Sequence, residues 1–257
     1  MARRGRRAPL PFDIIAGRNS VRAALVAGRR KVATVVVDRT ATGEVVEEIR
    51  TLATQTGAEL NVTSGHELAR LVGGDFHQGV AAYVDKTPPP DWEDLLAAPR
   101  AGRPLVVLDH VEDPRNLGAV IRSAAVFGAG GVLFPPRRQV PVTPTVSKVA
   151  EGGMEYVPLV PVSNVAQFLK QVQQEGIWRY GLEADGEAVL GEVELDARAA
   201  FVVGGEEMGL GRTTRKECDA VLSIPGAGGL SSLNVAAAAA VALYEFRRQH
   251  PAAEVVG

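Results

Sequence analysis

Short apolar runs alternate with helical patterns along most of this 257-residue chain. Strands that are joined by helical crossovers pair mainly in parallel, and helices then cover both faces of the sheet. The alternation therefore predicts an α/β fold with a mainly parallel sheet. In the larger, C-terminal part, strands are predicted at 104–109, 131–134, 157–160, 177–183, 200–204 and 220–224, and helices at 116–128, 145–154, 164–175, 212–218 and 232–248.

A smaller α/β unit precedes this part. Its first helix is predicted at 19–28, with Asn19 or Ser20 as the N-cap and Gly28 at its end. Further strands are predicted at 32–38, 58–63 and 79–84, and further helices at 43–56 and 65–72. Three consecutive prolines after residue 87 favour a stiff, extended connection. We expect a basic arm (1–11), a small domain (12–84), a proline-rich linker (85–102), a larger domain (103–250) and a tail (251–257).

Composition narrows the class of protein. Hydrophobic residues make up 46% of the chain and charged residues 23%, which is typical of a soluble globular protein. No apolar run is long enough to predict a transmembrane helix, and the basic start lacks the apolar region of a signal peptide. The single cysteine, Cys218, excludes an intrachain disulfide and is expected to be structural. We expect a cytoplasmic protein that does not bind a membrane.

The net charge of −2 conceals an asymmetry. Residues 1–31 carry nine Lys or Arg and one acid, a net charge of +8, whereas the other residues carry −10. A basic segment on an acidic body favours a phosphate-rich partner such as a nucleic acid. Other chemistries lack their motifs: no Gly-Lys dipeptide supports a phosphate loop, no Gly-x-Ser-x-Gly supports a hydrolase, and the four histidines have no metal-site spacing.

Three polar or glycine-rich loops follow predicted strands, at 109–116, 204–212 and 225–234. Ligands of parallel sheets bind beyond the carboxyl ends of the strands, so these loops are the candidate site. Asn116 is predicted to cap a helix that carries Arg122 in its second turn. Glycines precede Glu206 in the second loop, and the third loop leads into a helix through a Ser/Asn cap.

In this order and spacing, the three loops resemble the signature motifs of the SpoU/TrmH family of RNA ribose 2′-O-methyltransferases. The N-terminal unit, with its Phe76-His77-Gln78-Gly79-Val80 segment, resembles the substrate-binding domain of the RlmB-type 23S rRNA (guanosine-2′-O) branch. The resemblance implies an L30e-like N-terminal domain and a catalytic domain with a deep trefoil knot. It also implies S-adenosylmethionine (SAM) as the cofactor, bent within the knot, a homodimer and no metal ion.

The same resemblance assigns roles to individual residues. The residues that match the catalytic motifs are Asn116, Arg122, Glu206, Ser232 and Asn234. The residues expected at the cofactor are Gly204, Gly205, Met208, Leu210, Ile224, Pro225 and Leu233. The expected substrate is 23S rRNA, and the residues expected to bind it are Arg18, Arg22, Arg29, Arg30, His77 and Gln78. Glu207 departs from the family pattern, which usually has glycine after the acid of the second motif.

The expected chemistry fits these residue types. Methyl transfer needs the ribose oxygen in line with the methyl group, and the attacking hydroxyl is a poor acid. Because an arginine side chain stays protonated at ordinary pH, Arg122 is expected to orient the ribose-phosphate and lower the pKa of the hydroxyl rather than act as a simple base. Asn116, Glu206 and Asn234 are expected to fix Arg122, the loops and the substrate by hydrogen bonds.

Alternatives of other classes stay open at this stage. One is a non-catalytic RNA-binding or ribosome-assembly protein on the same fold. The other is a nucleotide-dependent oxidoreductase, although Leu133 stands where the dinucleotide fingerprint needs its third glycine. Within the family, the sequence does not separate rRNA from tRNA substrates, or housekeeping modification from antibiotic resistance.

Overall fold

The computed structural model describes residues 12–86, 90–97, 102–135, 144–206, 208–230 and 232–252. The chain forms two compact units that divide near residue 88. The predicted basic arm and the last five residues of the predicted tail lie outside the described residues, and so does Glu207.

The N-terminal unit is a four-stranded sheet with three helices. Its elements are β1 (Phe12–Ala16), α1 (Arg18–Ala27), β2 (Val32–Asp38), α2 (Glu44–Thr56), β3 (Glu59–Thr63), α3 (Gly65–Val72) and β4 (Val80–Asp85). The strand order is β1-β4-β2-β3, in which β4 is antiparallel to β1 and β2 while β2 and β3 are parallel. All predicted elements are confirmed within one or two residues, whereas β1 was not predicted.

The cap predicted for α1 is wrong. The helix begins at Arg18, after Gly17, whose backbone has a φ of 98°. A side chain is strained at such a φ, so glycine rather than a polar capping residue marks this start. The predicted end is confirmed, because Gly28 adopts the left-handed conformation and its N–H donates to the carbonyl of Ala24.

The C-terminal unit contains a seven-stranded, fully parallel sheet in the order β7-β6-β5-β10-β8-β11-β9. Its strands are β5 (Leu105–Asp109), β6 (Gly131–Phe134), β7 (Leu159–Pro161), β8 (Trp178–Leu182), β9 (Ala188–Val189), β10 (Ala199–Gly204) and β11 (Ala220–Ser223). Its helices are α4 (Trp92–Ala97), α5 (Pro114–Val126), α6 (Pro144–Ala150), α7 (Val165–Gln174), α8 (Arg212–Lys216) and α9 (Val235–Gln249), with 3₁₀ turns at Gly153–Glu155 and Leu190–Glu192. The α/β class and the parallel sheet are confirmed, and the two-residue strand β9 was not predicted.

Apolar side chains are buried on both faces of this sheet. Along the central strand β5, Val106 and Leu108 belong to the core on the side of α5 and α9. Leu105 and Val107 belong to the core on the side of α4 and α7. All five residues of β5 are buried, which explains why the strand reads as a continuous apolar run.

Part of the predicted linker is helical. Residues 92–97 form α4, whose Leu95 and Leu96 are buried in the core beside α7. The Trp92 ring meets the Phe168 ring edge-on, with 5.9 Å between the centroids. Residues 92–97 of the predicted linker are therefore a docked helix, because burial of these apolar side chains favours packing against the core.

Helix α5 begins at Pro114, two residues before the predicted start at 116. Asp113 is its N-cap, since its carboxylate accepts from the Arg115 N–H at 2.7 Å, and Pro114 occupies the first helical position. The prediction that Asn116 caps this helix is wrong. As a result, the Asn116 side chain lies in the first turn and is available for contacts outside the helix.

Among the described residues, no helix is long and apolar enough to cross a membrane.

The single cysteine is partly buried. Burial raises the pKa of the Cys218 thiol to about 12. The thiol donates to the Thr214 carbonyl at an Sγ–O distance of 3.5 Å.

We therefore expect Cys218 to react slowly in the folded protein. Iodoacetamide attacks the thiolate, and a pKa of about 12 leaves very little thiolate at pH 8. Alkylation at pH 8 should be slower by about 100-fold or more in the native protein than in denaturant, as mass spectrometry of quenched samples would measure. Equal rates in the two states would contradict the assignment of Cys218 as a structural thiol.

Candidate active site

Three loops meet beyond the carboxyl ends of the central strands. Strands β5 and β10 are paired so that Gly204 lies opposite Asp109, and the loop after each strand therefore starts at the same edge of the sheet. The N-terminus of α9 lies at this edge too, since Asn234 contacts residues of both loops. The sheet thus brings together the three segments that the sequence singled out.

Asn116, Glu206 and Asn234 form a closed hydrogen-bonded cluster. The Asn116 Nδ2 donates to Glu206 Oε1 at 2.8 Å, and the Asn234 Nδ2 donates to the same oxygen at 2.7 Å. The Asn234 Nδ2 also donates to Asn116 Oδ1 at 3.0 Å. Each residue contacts the other two, so the cluster fixes the relative positions of the three loops.

The N-cap of α9 fixes the orientation of the Asn234 amide. Its Oδ1 accepts from the Ala236 N–H at 2.9 Å and from the Ala237 N–H at 3.4 Å. Only an oxygen can accept these bonds, so the Nδ2 must face the other two members of the cluster. The predicted Ser/Asn cap is confirmed, with Asn234 as the capping residue.

Glycines let the second loop fold back tightly on itself. A Cβ at Gly204 would lie 2.1 Å from the carbonyl carbon of Gly209, and one at Gly205 would lie 2.2 Å from the His110 carbonyl oxygen. Gly209 has a φ of 60°, and its N–H donates to the Gly205 carbonyl at 2.9 Å. Any side chain at 204 or 205 would push the loop away from Asn116 and Asn234.

Two carboxylates hold the far side of this loop. Asp109, which is buried at the end of β5, accepts from the Gly211 N–H at 2.9 Å. Glu183, directly after β8, accepts from the Leu210 N–H at 3.0 Å and forms an ion pair with Arg215. Neither role was predicted from the sequence. The available signal was an acidic residue immediately after a leucine at the end of each strand.

Beside the cluster lies a cavity of about 410 Å³. Of the residues predicted at the cofactor, Gly204, Gly205, Ile224 and Leu233 line this cavity. Glu206, Ser232 and Asn234 line it as well, and so do Glu183 and Asp185, which were not predicted. The other three residues predicted at the cofactor, Met208, Leu210 and Pro225, are not among the described residues that line the cavity. Met208 is 77% exposed and Pro225 is exposed, whereas Leu210 is buried in the core.

Arg122 lies away from the cluster. It is six residues beyond Asn116 on α5, about 9 Å along the axis and roughly a third of a turn around it. Its Nη1 forms an ion pair with Glu151 Oε2 at 3.0 Å. The prediction that Asn116, Glu206 and Asn234 fix Arg122 is therefore wrong within one copy, because Arg122 pairs with Glu151 instead. Another cation, Arg115, lies nearer to this cluster. The hydrogen bonds and charge of Asp113 raise the pKa of Arg115, and the charge of Glu206 raises it more weakly.

The residues predicted to bind RNA lie in the N-terminal unit, in one group near each end of α1 and at Arg22 between the two groups. At its start, the Arg18 Nε donates to the Gln78 carbonyl at 3.0 Å, and the His77 Nδ1 accepts from the Gly79 N–H at 2.9 Å. Arg29 and Arg30 follow the other end, where Arg30 pairs with Asp13 at 3.6 Å. Arg22 lies between them and pairs with Glu48 at 2.7 Å.

Among the described residues, no group of three or more His, Cys, Asp or Glu is arranged to hold a metal ion.

Both units match known protein families. The SpoU rRNA Methylase family matches residues 103–244, more than half of the chain. The chain belongs to this family. In addition, residues 14–90 match the family described as RNA 2′-O ribose methyltransferase substrate binding. The family predicted from the three loops is confirmed.

Curated relatives are similar over most of their length. The 23S rRNA (guanosine-2′-O-)-methyltransferase RlmB of Nitrosomonas europaea is 40% identical over 204 residues, which cover 79% of this chain and 78% of that protein. The enzyme of the same name from Xylella fastidiosa strain 9a5c is 37% identical over 238 residues, which cover 91% of this chain and 96% of that protein.

Solved structures share the fold of this SpoU-family chain. The SpoU methyltransferase AviRb from Streptomyces viridochromogenes, in complex with its cofactor AdoMet, has a TM-score of 0.76 at 25% identity, covering 93% of this chain and 90% of that one. A crystal structure of an RNA 2′-O ribose methyltransferase has a TM-score of 0.75 at 26% identity, covering 93% and 89%.

Substitutions of Asn234 should separate its capping role from its role in the cluster. Asn234→Ala removes both and should destabilise the protein by about 1 kcal/mol or more, whereas Asn234→Ser keeps a capping oxygen and should recover most of that loss. The free energy of unfolding in urea measures both variants. Equal destabilisation by Ala and Ser would show that the cap contributes nothing to stability.

Proposed function

We propose that this SpoU-family protein transfers a methyl group from SAM to a ribose 2′-hydroxyl of RNA, and that its substrate is a guanosine of 23S rRNA. The observation that carries the proposal is the Asn116–Glu206–Asn234 cluster beside the cavity, which joins the three family motifs. The RlmB relatives support the guanosine and the 23S rRNA.

The cavity suits SAM in size and charge. Its volume of about 410 Å³ falls in the range of about 300–1,000 Å³ that is usual for small-molecule sites. Val203, Leu222 and Ile224 give it apolar walls, while the carboxylates of Glu183 and Asp185 also line it. Apolar walls suit an adenine ring. Glu183 and Asp185 share one cation, Arg215, so the two carboxylates keep a net negative charge that suits a cationic ligand. Bound there, SAM supplies an electrophilic methyl group on a positively charged sulfur.

The protein residues then have distinct tasks. The glycine loop and the Asn116–Glu206–Asn234 cluster keep the cavity in one shape before any ligand binds, and such preorganisation is an efficient route to alignment. Arg122 holds the ribose-phosphate and polarises the 2′-hydroxyl. We also infer the deep trefoil knot that the family resemblance implies. The position of β10 between β5 and β8, with both glycine loops at one edge, is consistent with it.

A homodimer explains the position of Arg122. Since this side chain points away from the cluster of its own copy, we propose that a second copy completes the site. Helix α9 offers a surface for this contact, because Val241 and Tyr244 are exposed on a helix whose other face is buried against the core.

The N-terminal unit is proposed to hold the RNA. Its match to a substrate-binding family and its share of the basic residues in the 1–31 segment support this role. Arg18, His77 and Gln78 lie together and form the proposed contact, with Arg22, Arg29 and Arg30 extending it along α1. We propose the cytoplasm as the place of action, since rRNA is the substrate.

Methyl transfer to the ribose can be distinguished from base methylation by alkaline hydrolysis. The protein is incubated with SAM that carries a radiolabelled methyl group and with 23S rRNA from a strain that lacks this protein. A 2′-O-methyl group prevents cleavage of its own phosphodiester, so the label should appear in alkali-resistant dinucleotides that contain guanosine. Label in mononucleotides would mean base methylation, and absence of label would favour a non-catalytic RNA-binding protein.

Arg122→Ala should impair turnover more than cofactor binding. We expect kcat to fall by about 100-fold or more, while the Kd for SAM in calorimetry changes less than threefold, because Arg122 does not line the cavity of its own copy and is proposed to contact the RNA rather than the cofactor. Lys170→Ala is a matched control, since Lys170 is also an exposed cation that pairs with a glutamate, Glu217. Normal turnover in Arg122→Ala would refute its catalytic role.

A further inference from the structure

A second cavity, of about 280 Å³, opens beside Arg122. It lies between α5 and the segment that follows α6, and Arg122, Val126, Glu151 and Tyr156 are among its lining residues. The turn packs closely on the helix: a Cβ at Gly153 would lie 3.2 Å from the Arg122 Cα. The second cavity therefore borders the same part of α5 that carries the proposed catalytic arginine.

The walls of this second cavity present an aromatic ring to solvent. Tyr156 is 47% exposed and follows the 3₁₀ turn, and Val126 is exposed on α5. Proteins that bind unpaired RNA bases commonly stack them on exposed aromatic side chains. The exposed ring therefore suits the stacking of a planar nucleobase.

Glu151 gives the second cavity a hydrogen-bond acceptor. Its φ is 45°, a conformation that glutamate rarely adopts and that strained functional positions often show. Its carboxylate pairs with Arg122 while the two side chains are 43% and 55% exposed. Ion pairs that are exposed to this extent are weak, so a ligand with suitable donors can replace the arginine at this carboxylate.

We propose that this cavity binds the guanine base of the target nucleotide, with Tyr156 stacked on the ring and Glu151 accepting from the guanine N1–H and N2–H. The proposal rests on the proposed function, since it places the base next to the arginine that acts on the ribose. When guanine engages Glu151, Arg122 is released from its ion pair and can turn to the phosphate and the 2′-hydroxyl.

A carboxylate distinguishes guanine from the other bases. Guanine presents two adjacent donors, N1–H and N2–H, which match the two oxygens of a carboxylate. Adenine presents an N1 acceptor, cytosine presents an N3 acceptor, and uracil presents one donor between two carbonyl oxygens. Each of these places a lone pair against the negative charge of Glu151. A site with unpaired polar groups rejects the wrong substrate strongly.

Inosine isolates the contact to Glu151, because it is guanosine without the N2 amino group. The full-length protein is assayed with SAM and two RNA fragments that carry guanosine or inosine at the methylated position mapped on 23S rRNA. We expect wild-type kcat/KM to favour guanosine by about tenfold or more. In Glu151→Gln we expect kcat/KM for the guanosine RNA to fall and the ratio to approach one, since an amide offers only one acceptor oxygen.

Three further variants make the test specific. Tyr156→Phe should keep activity, because it keeps the ring, whereas Tyr156→Ala should raise the KM for RNA about tenfold without changing the Kd for SAM. Glu175→Gln, which removes an exposed carboxylate at the end of α7, should behave as the wild type.

Each outcome has a separate meaning. An unchanged guanosine-to-inosine ratio in Glu151→Gln would overturn the guanine site even if overall activity fell, because loss of Arg122 positioning alone affects both RNAs equally. A shift of Tyr156→Ala to monomers in light scattering, with an unchanged KM, would assign this surface to a second copy of the chain and also overturn the proposal. Absence of any methylated position on 23S rRNA would refute the proposed function itself, whereas equal wild-type kcat/KM for the guanosine and inosine RNAs would overturn the guanine site alone.

Discussion

The Asn234 amide is the interaction on which the candidate site depends. Its oxygen accepts from the first backbone amides of α9, and its nitrogen donates to Asn116 and Glu206. One side chain therefore couples the start of the last helix to the loops after β5 and β10. Because the capping bond fixes which end of the amide faces the cluster, the secondary structure of α9 orients the polar groups of the site.

The glycine loop is held from two sides. Gly204 and Gly205 allow the backbone to pass within contact of Gly209 and His110, and no other residue fits these positions without moving the loop. Beyond them, Asp109 and Glu183 accept from consecutive backbone amides of the same loop. A loop fixed in this way keeps the cavity formed without a ligand, which lowers the ordering cost of binding.

Helix α5 serves two different regions of the C-terminal unit. Asn116, in its first turn, faces the cluster, whereas Arg122, about 9 Å further along, faces Glu151 and the second cavity. The two motif residues thus act in different places within one copy. The proposed second copy, which brings Arg122 to the cofactor cavity, and the proposed base beside Arg122 would together account for this separation.

The sequence by itself determined the family, the α/β class, the parallel sheet and the three loops of the site. The strands and helices could be predicted because burial on both sheet faces leaves continuous apolar runs, and the loops because polar and glycine residues interrupt them. Local sequence signals gave the wrong caps for two helices, whose N-caps are Gly17 and Asp113. They also missed α4, whose leucines are buried in the core. Only the tertiary structure showed that Asn116 bonds Glu206 and Asn234, that Asp109 and Glu183 hold the glycine loop, and that Arg122 pairs with Glu151. These contacts join residues 27 to 118 positions apart, and their partners are set by strand order and packing, which no local pattern encodes.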